Sequence, residues 1–424
     1  LLYLTGLTLP FPEVGIPLNE VFTLSFTTLA ALAFSTQYLA WRGLTTEHRA
    51  AVLMLMVFAA TAVTRHPFAS YVLSLGALSL GLLVFASSRL STAQLVNLVR
   101  GLIGGLVITL GLMALTIFPQ VIGVPGLLGP ARAWLIGTEQ TGTFLGYIRP
   151  FAGFSEPSHL AIYLSAVYVV LDLLVRAGRP LMVLRAVTAL AVVLSGSVSG
   201  LVLLFSYVVF RWLGAIRRLV SGRISARFLI RSALASVVVL ALFLALGPDP
   251  GELATEYSLR LLKTIDDVQT GNLVGSEGSR VNAILALPDY WESAGLPGFL
   301  AGTGYANHQG WLIDTYGHLN ESATFSRGAI DSVLIAVFLA TGIFGFLAYL
   351  RVLWVGFGGR VLRLHVALIV FVLVLNFSYG YLIAGLYWQL LFVIAATARW
   401  CVLPLGRARA RRHAIQVRRR RAAI

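Results

Sequence analysis

The chain of 424 residues is 58% hydrophobic and only 12% charged, with a mean hydropathy of +0.85, which excludes an ordinary soluble domain and predicts an all-α polytopic membrane protein. A formal net charge of +15 does not require nucleic acid, because the surplus arginines sit in short connectors and the tail, where anionic lipid is the natural partner. The single cysteine, Cys401, excludes disulfides and cysteine metal clusters.

A hydrocarbon core of about 30 Å needs about 20 helical residues to cross it. Apolar runs predict spans at Val21–Trp41, Arg49–Thr64, Phe68–Ser87, Leu95–Phe118, His159–Val175, Leu181–Leu194, Gly200–Trp212, Phe228–Leu246, Ala329–Leu350, Val361–Ser378 and Leu382–Leu403. Leu1–Leu9 reads as the end of an earlier helix, so eleven or twelve spans are expected in one integral-membrane domain over residues 1–424. Two runs are short and flank Ser195-Gly196-Ser197-Val198-Ser199-Gly200. That pattern predicts a hairpin of short helices, its turn sheltered inside the protein.

Short cytoplasmic loops collect arginine. Arg217, Arg218, Arg223 and Arg227 share one connector, Arg351, Arg360 and Arg363 another, and residues 404–424 form a basic tail with Arg407, Arg409, Arg411, Arg412 and Arg418 to Arg421. Placing these inside also puts Arg42/Arg49, Arg89 and Arg176/Arg179 inside. Two extracytoplasmic loops follow, at 119–158 and 247–328. The second carries Asp249, Glu252, Glu256, Asp266, Asp267, Glu277, Asp289, Glu292, Asp314 and Glu321, ten of the 17 acidic residues.

In the first loop, Val124-Pro125-Gly126 and Leu128-Gly129-Pro130 suit re-entrant or surface-lying backbone. It ends at Gly153-Phe154-Ser155-Glu156-Pro157-Ser158-His159-Leu160-Ala161, where Pro157 opens a helix. Glu156 then lies at the positive end of a helix dipole, either as its cap or as a reactive carboxylate. Arg149 and His159 stand near it in sequence. A carboxylate and an imidazole at a bilayer boundary rarely serve packing alone, since desolvating either costs several kcal/mol.

In the second loop a helix beginning near Ser279-Arg280 leads through Tyr290-Trp291 to a turn at Leu296-Pro297-Gly298-Phe299, then Gly302-Thr303-Gly304-Tyr305. His308, His318, Asn320 and Arg327 follow before the span that starts with Asp331-Ser332. Tyr290, Trp291, Tyr305, Trp311, Tyr316 and Phe325 present flat faces that either stack on sugar rings or build a small loop core. Tyr379, Tyr381, Tyr387 and Trp388 are expected in an interfacial aromatic belt. Asp266-Asp267 is the only adjacent acidic pair, and nothing beside it completes a metal-ligand set. Neither a phosphate-binding glycine loop followed by Lys-Ser/Thr nor a dinucleotide fingerprint occurs, so no metal or cofactor is expected.

The Phe-Ser-Glu-Pro-Ser-His-Leu-Ala turn, followed by the Arg-led helix, the Pro-Gly turn, the Gly-x-Gly and Thr341-Gly342-Ile343-Phe344-Gly345, resembles the O-antigen polymerase and O-antigen ligase superfamily of bacterial polysaccharide enzymes. The resemblance covers most of the chain, and the order of its motifs is more specific than any one of them. It implies a C-type membrane glycosyltransferase fold acting on undecaprenyl-diphosphate-linked oligosaccharides in the cytoplasmic (inner) membrane, as in lipopolysaccharide synthesis. The site would face the periplasm, and a chain-length regulator protein is an implied partner. Relatives often carry a basic residue in the short-helix turn, where this chain reads Ser197-Val198-Ser199-Gly200. Ligases tend to present His-Asn before the next span; Ser326-Arg327-Gly328 stands here instead, which favours a polymerase.

Such an enzyme must hold a diphosphate, and arginine does so in two-point geometry while staying charged. Arg149, Arg280 and Arg327 are the candidates. The attacking hydroxyl needs a base within hydrogen-bond reach; Glu156 comes first and His159 second, with Arg280 completing the proposed catalytic set opposite Glu156. Tyr290, Trp291, Tyr305, His308 and His318 are the sugar-binding candidates. The rival activities are a ligase that transfers finished glycan to a lipid A core or protein, and a transporter of lipid-linked sugars. Charge buried on several helices would favour the transporter. Asp172 is the clearest acidic residue within a span, and the two halves of the chain show no matched Gly/Pro-broken segments.

Overall fold

The computed structural model describes residues 46–62, 81–82, 85–86, 90–121, 143–144, 147–150, 152, 154, 157–176, 181–220, 275–304, 332–378 and 387–401, together with isolated helical positions between 251 and 266. The expected spans Val21–Trp41 and Phe228–Leu246, the basic tail and most of both long loops lie outside these residues.

Almost everything described is helical. The elements are α1 (Thr46–Ala62), α2 (Thr92–Val121), the two-residue strands β1 (Thr143–Phe144) and β2 (Tyr147–Ile148), α3 (Pro157–Arg176), α4 (Met182–Leu194), α5 (Val198–Val220), α6 (Gly275–Ala301), α7 (Val333–Phe357), α8 (Gly359–Leu364) and α9 (Val366–Ser378). A further helix, α10, covers 387–401. Among the described residues three helices are long and apolar enough to cross a membrane, at Ala93–Gln120, Pro157–Val175 and Val333–Phe357.

The strands pair antiparallel, Thr143 with Ile148 and Phe144 with Tyr147, and β2 rests on α2. Apolar runs locate most of the described helices, but several bounds differ from expectation: the run expected at Gly200–Trp212 is the longer α5, which takes in Arg217 and Arg218 rather than leaving them in a connector, and that expected at Ala329–Leu350 is shifted to Val333–Phe357. Helix α2 continues past Pro119 to Val121, because a proline near a helix end removes only one backbone bond. The run expected at Val361–Ser378 divides at His365 into α8 and α9. The second-loop helix turns at Gly295 (φ 57°), ahead of the expected turn at Pro297-Gly298.

One core joins the bundle. Helix α3 is its buried centre, with Leu160, Tyr163, Leu164, Val169 and Leu171 all inaccessible; α4 and α5 pack on it, and α5 also packs along α9. Helices α3 and α5 run parallel. Ser165 donates to the Gly200 carbonyl at 3.1 Å near their starts, and Tyr207 donates to Asp172 at 2.9 Å further along. Gly200 permits the upper contact, since a Cβ there would overlap that of Ala161.

Tyr387 and Trp388 are fully buried, which corrects their expected place in an aromatic belt. Trp388 packs against Phe85 and Tyr349. The Tyr387 and Tyr349 hydroxyls meet each other and donate to the Asn376 side chain, whose amide donates to the Val372 carbonyl at 2.6 Å. Polar atoms without access to water must pair internally, and this cluster ties α7, α9 and α10 together.

Helix α7 is interrupted at Gly342, which takes φ 62°. The Leu339 and Ala340 carbonyls thereby lose their usual helical partners. Thr303 and Gly304 backbone N–H groups donate to them at 2.9 Å each, and the Thr303 hydroxyl (3.1 Å) and Tyr290 hydroxyl (3.2 Å) also reach Leu339. The crossing is reciprocal and tight. A Cβ on Gly302 would overlap the Ala340 carbonyl, and one on Gly342 would overlap that of Leu300.

Candidate functional site

The first-loop residues gather where α3 and α5 begin. Pro157 starts α3 as the sequence predicts, its fixed φ suited to a first helical position whose N–H has no partner in any case. Just upstream the chain is strained: Ala152, fully buried, sits at φ 48°, a left-handed conformation that a non-glycine residue adopts at a cost of about 1–3 kcal/mol. Phe154 is buried against Tyr163, ring centroids 5.3 Å apart. This anchors the chain just upstream of α3.

The α4–α5 turn lies at the same end. It is sheltered, as predicted: Ser195, Ser197 and Ser199 are all buried. Ser195 donates to the Val192 carbonyl at 2.6 Å, and Ser197 caps α5 by accepting from the Gly200 N–H at 3.4 Å. Serine oxygens suit these positions because they satisfy backbone groups that a helix end leaves open.

Into this turn reaches Arg149, whose Nε donates to the Ser195 carbonyl at 3.4 Å. The turn carries no basic residue in its own sequence, and a cation 46 residues upstream supplies one. His159 is half-buried in the first turn of α3 and Ser158 is buried beside it. One guanidinium and the positive ends of two parallel helices therefore share one end of the bundle, an arrangement that favours an anion.

The second-loop residues separate into inside and outside. Tyr290 is buried, with its hydroxyl donating to the Leu339 and Gly298 carbonyls. Burial pushes its phenol up to about 12, with the hydrogen bonds to Thr303 acting the other way. Its ring belongs to the small core formed with Ile335 and Leu339, the loop-core role rather than a sugar platform. Trp291 is 54% exposed and leans on Phe299 at 4.3 Å between centroids, so one indole face remains open. Arg280 lies in α6, its side chain outside the described residues. Glu156, Tyr305, His308, His318 and Arg327 also lie outside them, as does the expected pairing of Glu156 with Arg280.

Sequence reasoning missed the partners of Asp172. Its carboxylate accepts from Arg185 Nη1 at 2.6 Å and Arg211 Nε at 3.1 Å, as well as from Tyr207, so three helices share one buried ionic cluster. The available signal was Asp172, Arg185 and Arg211, one in each of three consecutive apolar runs and all toward the same end. A second buried pair joins Arg399 to Glu47 at 3.1 Å, with Arg399 also donating to the Val355 carbonyl.

The described residues thus form a helical protein with helices long and apolar enough to cross a membrane, a guanidinium where α3 and α5 begin and buried ion pairs elsewhere between helices. Comparison with protein-family models and with curated proteins gives no match.

Proposed function

We propose that the protein is a glycan polymerase of the cytoplasmic membrane, with a C-type glycosyltransferase fold, which joins lipid-linked repeat units at the extracytoplasmic face. One observation carries the reading: Arg149 stands at the Ser195 turn, where α3 and α5 both begin. A diphosphate leaving group develops negative charge as its bond to the sugar breaks. A guanidinium and two helix N-termini are suited to stabilise that charge as it forms.

In the proposed step a hydroxyl oxygen at the non-reducing end of a lipid-linked repeat unit attacks the anomeric carbon of the growing glycan. The carbon–oxygen bond to polyprenyl diphosphate breaks, and the diphosphate leaves with the electron pair. The hydroxyl proton passes to Glu156 or His159, and one displacement inverts the anomeric centre. Trp291 offers an open face to a sugar ring. Arg280 and Arg327 are the further phosphate contacts this reading needs.

Transport of the intact lipid-linked sugar is the second reading, favoured by the charge that Asp172, Arg185 and Arg211 bury across three helices. Purified protein given a synthetic polyprenyl-diphosphate repeat unit separates the two. Polymerisation releases polyprenyl diphosphate and lengthens the glycan; translocation of intact substrate without either product overturns it. Product attached to a lipid A core or protein, with no lengthened lipid-linked glycan, would instead identify a ligase.

A further inference from the structure

We propose that Arg185 and Arg211 hold the phosphate of an anionic membrane lipid at the end of α3, α4 and α5 opposite Arg149. The proposal requires a membrane-spanning chain and is independent of glycosyl transfer.

The argument begins with unbalanced charge. Asp172 carries one negative charge and faces two guanidiniums, so among the described residues the cluster is left with one positive charge. Helices α3, α4, α5 and α9 contain no other acidic residue, and between Asp172 and Asp249 the sequence has none. The Asp172 carboxylate is already occupied, accepting from both arginines and from Tyr207. It cannot neutralise a second cation. An uncompensated charge at this depth costs several kcal/mol unless an anion joins it.

Position then decides which anion. Asp172 lies fifteen residues beyond Pro157, about 22 Å along α3 at 1.5 Å per residue, close to the far side of a hydrocarbon core of about 30 Å. The Arg185 and Arg211 side chains are 20% and 15% accessible, and Val183, Phe205, Trp212 and Leu213 elsewhere on the same two helices are exposed. Among the described residues Arg185 engages Asp172 through Nη1 alone and Arg211 through Nε alone, so each has further N–H donors. Arg185 also stands over the Tyr168 ring at 6.0 Å, which limits its freedom. Two partly accessible forked donors on helices that also expose apolar side chains match the oxygens of a headgroup phosphate. A net negative headgroup such as phosphatidylglycerol supplies the missing charge; phosphatidylcholine carries its own cation and does not.

The test is lipid retention by the purified full chain, measured by native mass spectrometry, with thermal unfolding in phosphatidylcholine alone and in equal parts phosphatidylcholine and phosphatidylglycerol. Wild type should retain phosphatidylglycerol preferentially and unfold at a higher temperature in the mixture. Arg211→Gln should weaken retention about fivefold, the effect of about 1 kcal/mol per arginine. Arg217→Gln removes the same charge further along α5 and should change little. Asp172→Asn frees both guanidiniums and should hold the lipid more tightly, whereas a purely structural cluster would lose protein stability and gain no lipid. Equal loss in Arg217→Gln and Arg211→Gln, weaker retention in folded Asp172→Asn, or equal stabilisation by inorganic phosphate would overturn the proposal.

Discussion

Arg149 is the residue on which the proposed chemistry turns, and its role is separable from folding. Its hydrogen bond to Ser195 is long and only half-buried, so loss of that bond by itself costs little stability. Arg149→Gln should lower turnover by about a hundredfold, the scale seen when one donor to a developing anion is removed, while the unfolding midpoint stays near that of wild type. Release of polyprenyl diphosphate is the readout, and full activity in a folded variant would remove Arg149 from the site. Tyr290 and Trp291, adjacent in sequence, should behave oppositely. Tyr290→Phe removes a hydroxyl donor from two carbonyls that keep other donors and should cost about 0.5–1.5 kcal/mol of stability with KM unchanged. Trp291→Ala should leave stability almost intact and raise KM for the lipid-linked sugar. At this scale Pro157 as a helix start was legible in the sequence, because a local conformational preference specifies it. The approach of Arg149 to Ser195 was not, since 46 residues separate them and only tertiary packing brings them together.

Among the elements, the crossing of α6 and α7 is the least tolerant point in the described fold. The sequence announces a long apolar helix, and Thr341-Gly342-Ile343 within it reads like any glycine in a membrane span. What reveals the interruption is the partner. The Gly302-Thr303-Gly304 backbone must lie against Leu339 and Ala340, and only the folded chain brings it there. Gly342→Ala should therefore be strongly destabilising. The left-handed φ alone costs about 1–3 kcal/mol, and the new Cβ meets a backbone carbonyl rather than a movable side chain. Gly302→Ala should fail for the same reason at Ala340. The two changes together should not rescue each other, because each Cβ strikes a different carbonyl. The fraction of protein recovered as a single monodisperse species in detergent measures this, and near-normal recovery of either variant would show that the crossing adjusts more easily than its geometry implies.

Over the whole molecule, arginine bias and helix direction lead to one proposed topology. Counting spans from the arginine-rich connectors places residues 404–424 inside and the 247–328 loop outside, and positive connectors resist translocation. The described helices fit that alternation locally: α3 and α5 run parallel with α4 between them, and Glu47 at the start of α1 pairs with Arg399 near the end of α10. On the proposed topology the net charge of +15 is a sum over two differently charged faces, and says little about the partner at either one. The assignment is testable because native Cys401 is buried and should react slowly with a polar maleimide. A cysteine in place of Trp291, on the exposed side of α6, should label in intact cells. One in place of Ala410, within the basic tail, should label only after the membrane is opened. Labelling of both positions, or of neither, in intact cells would break the link between arginine bias and orientation. Reversed labelling would turn the Arg149 end toward the cytoplasm, where a polymerase of exported glycan has no substrate, while leaving the ionic packing of α3, α4 and α5 unaffected.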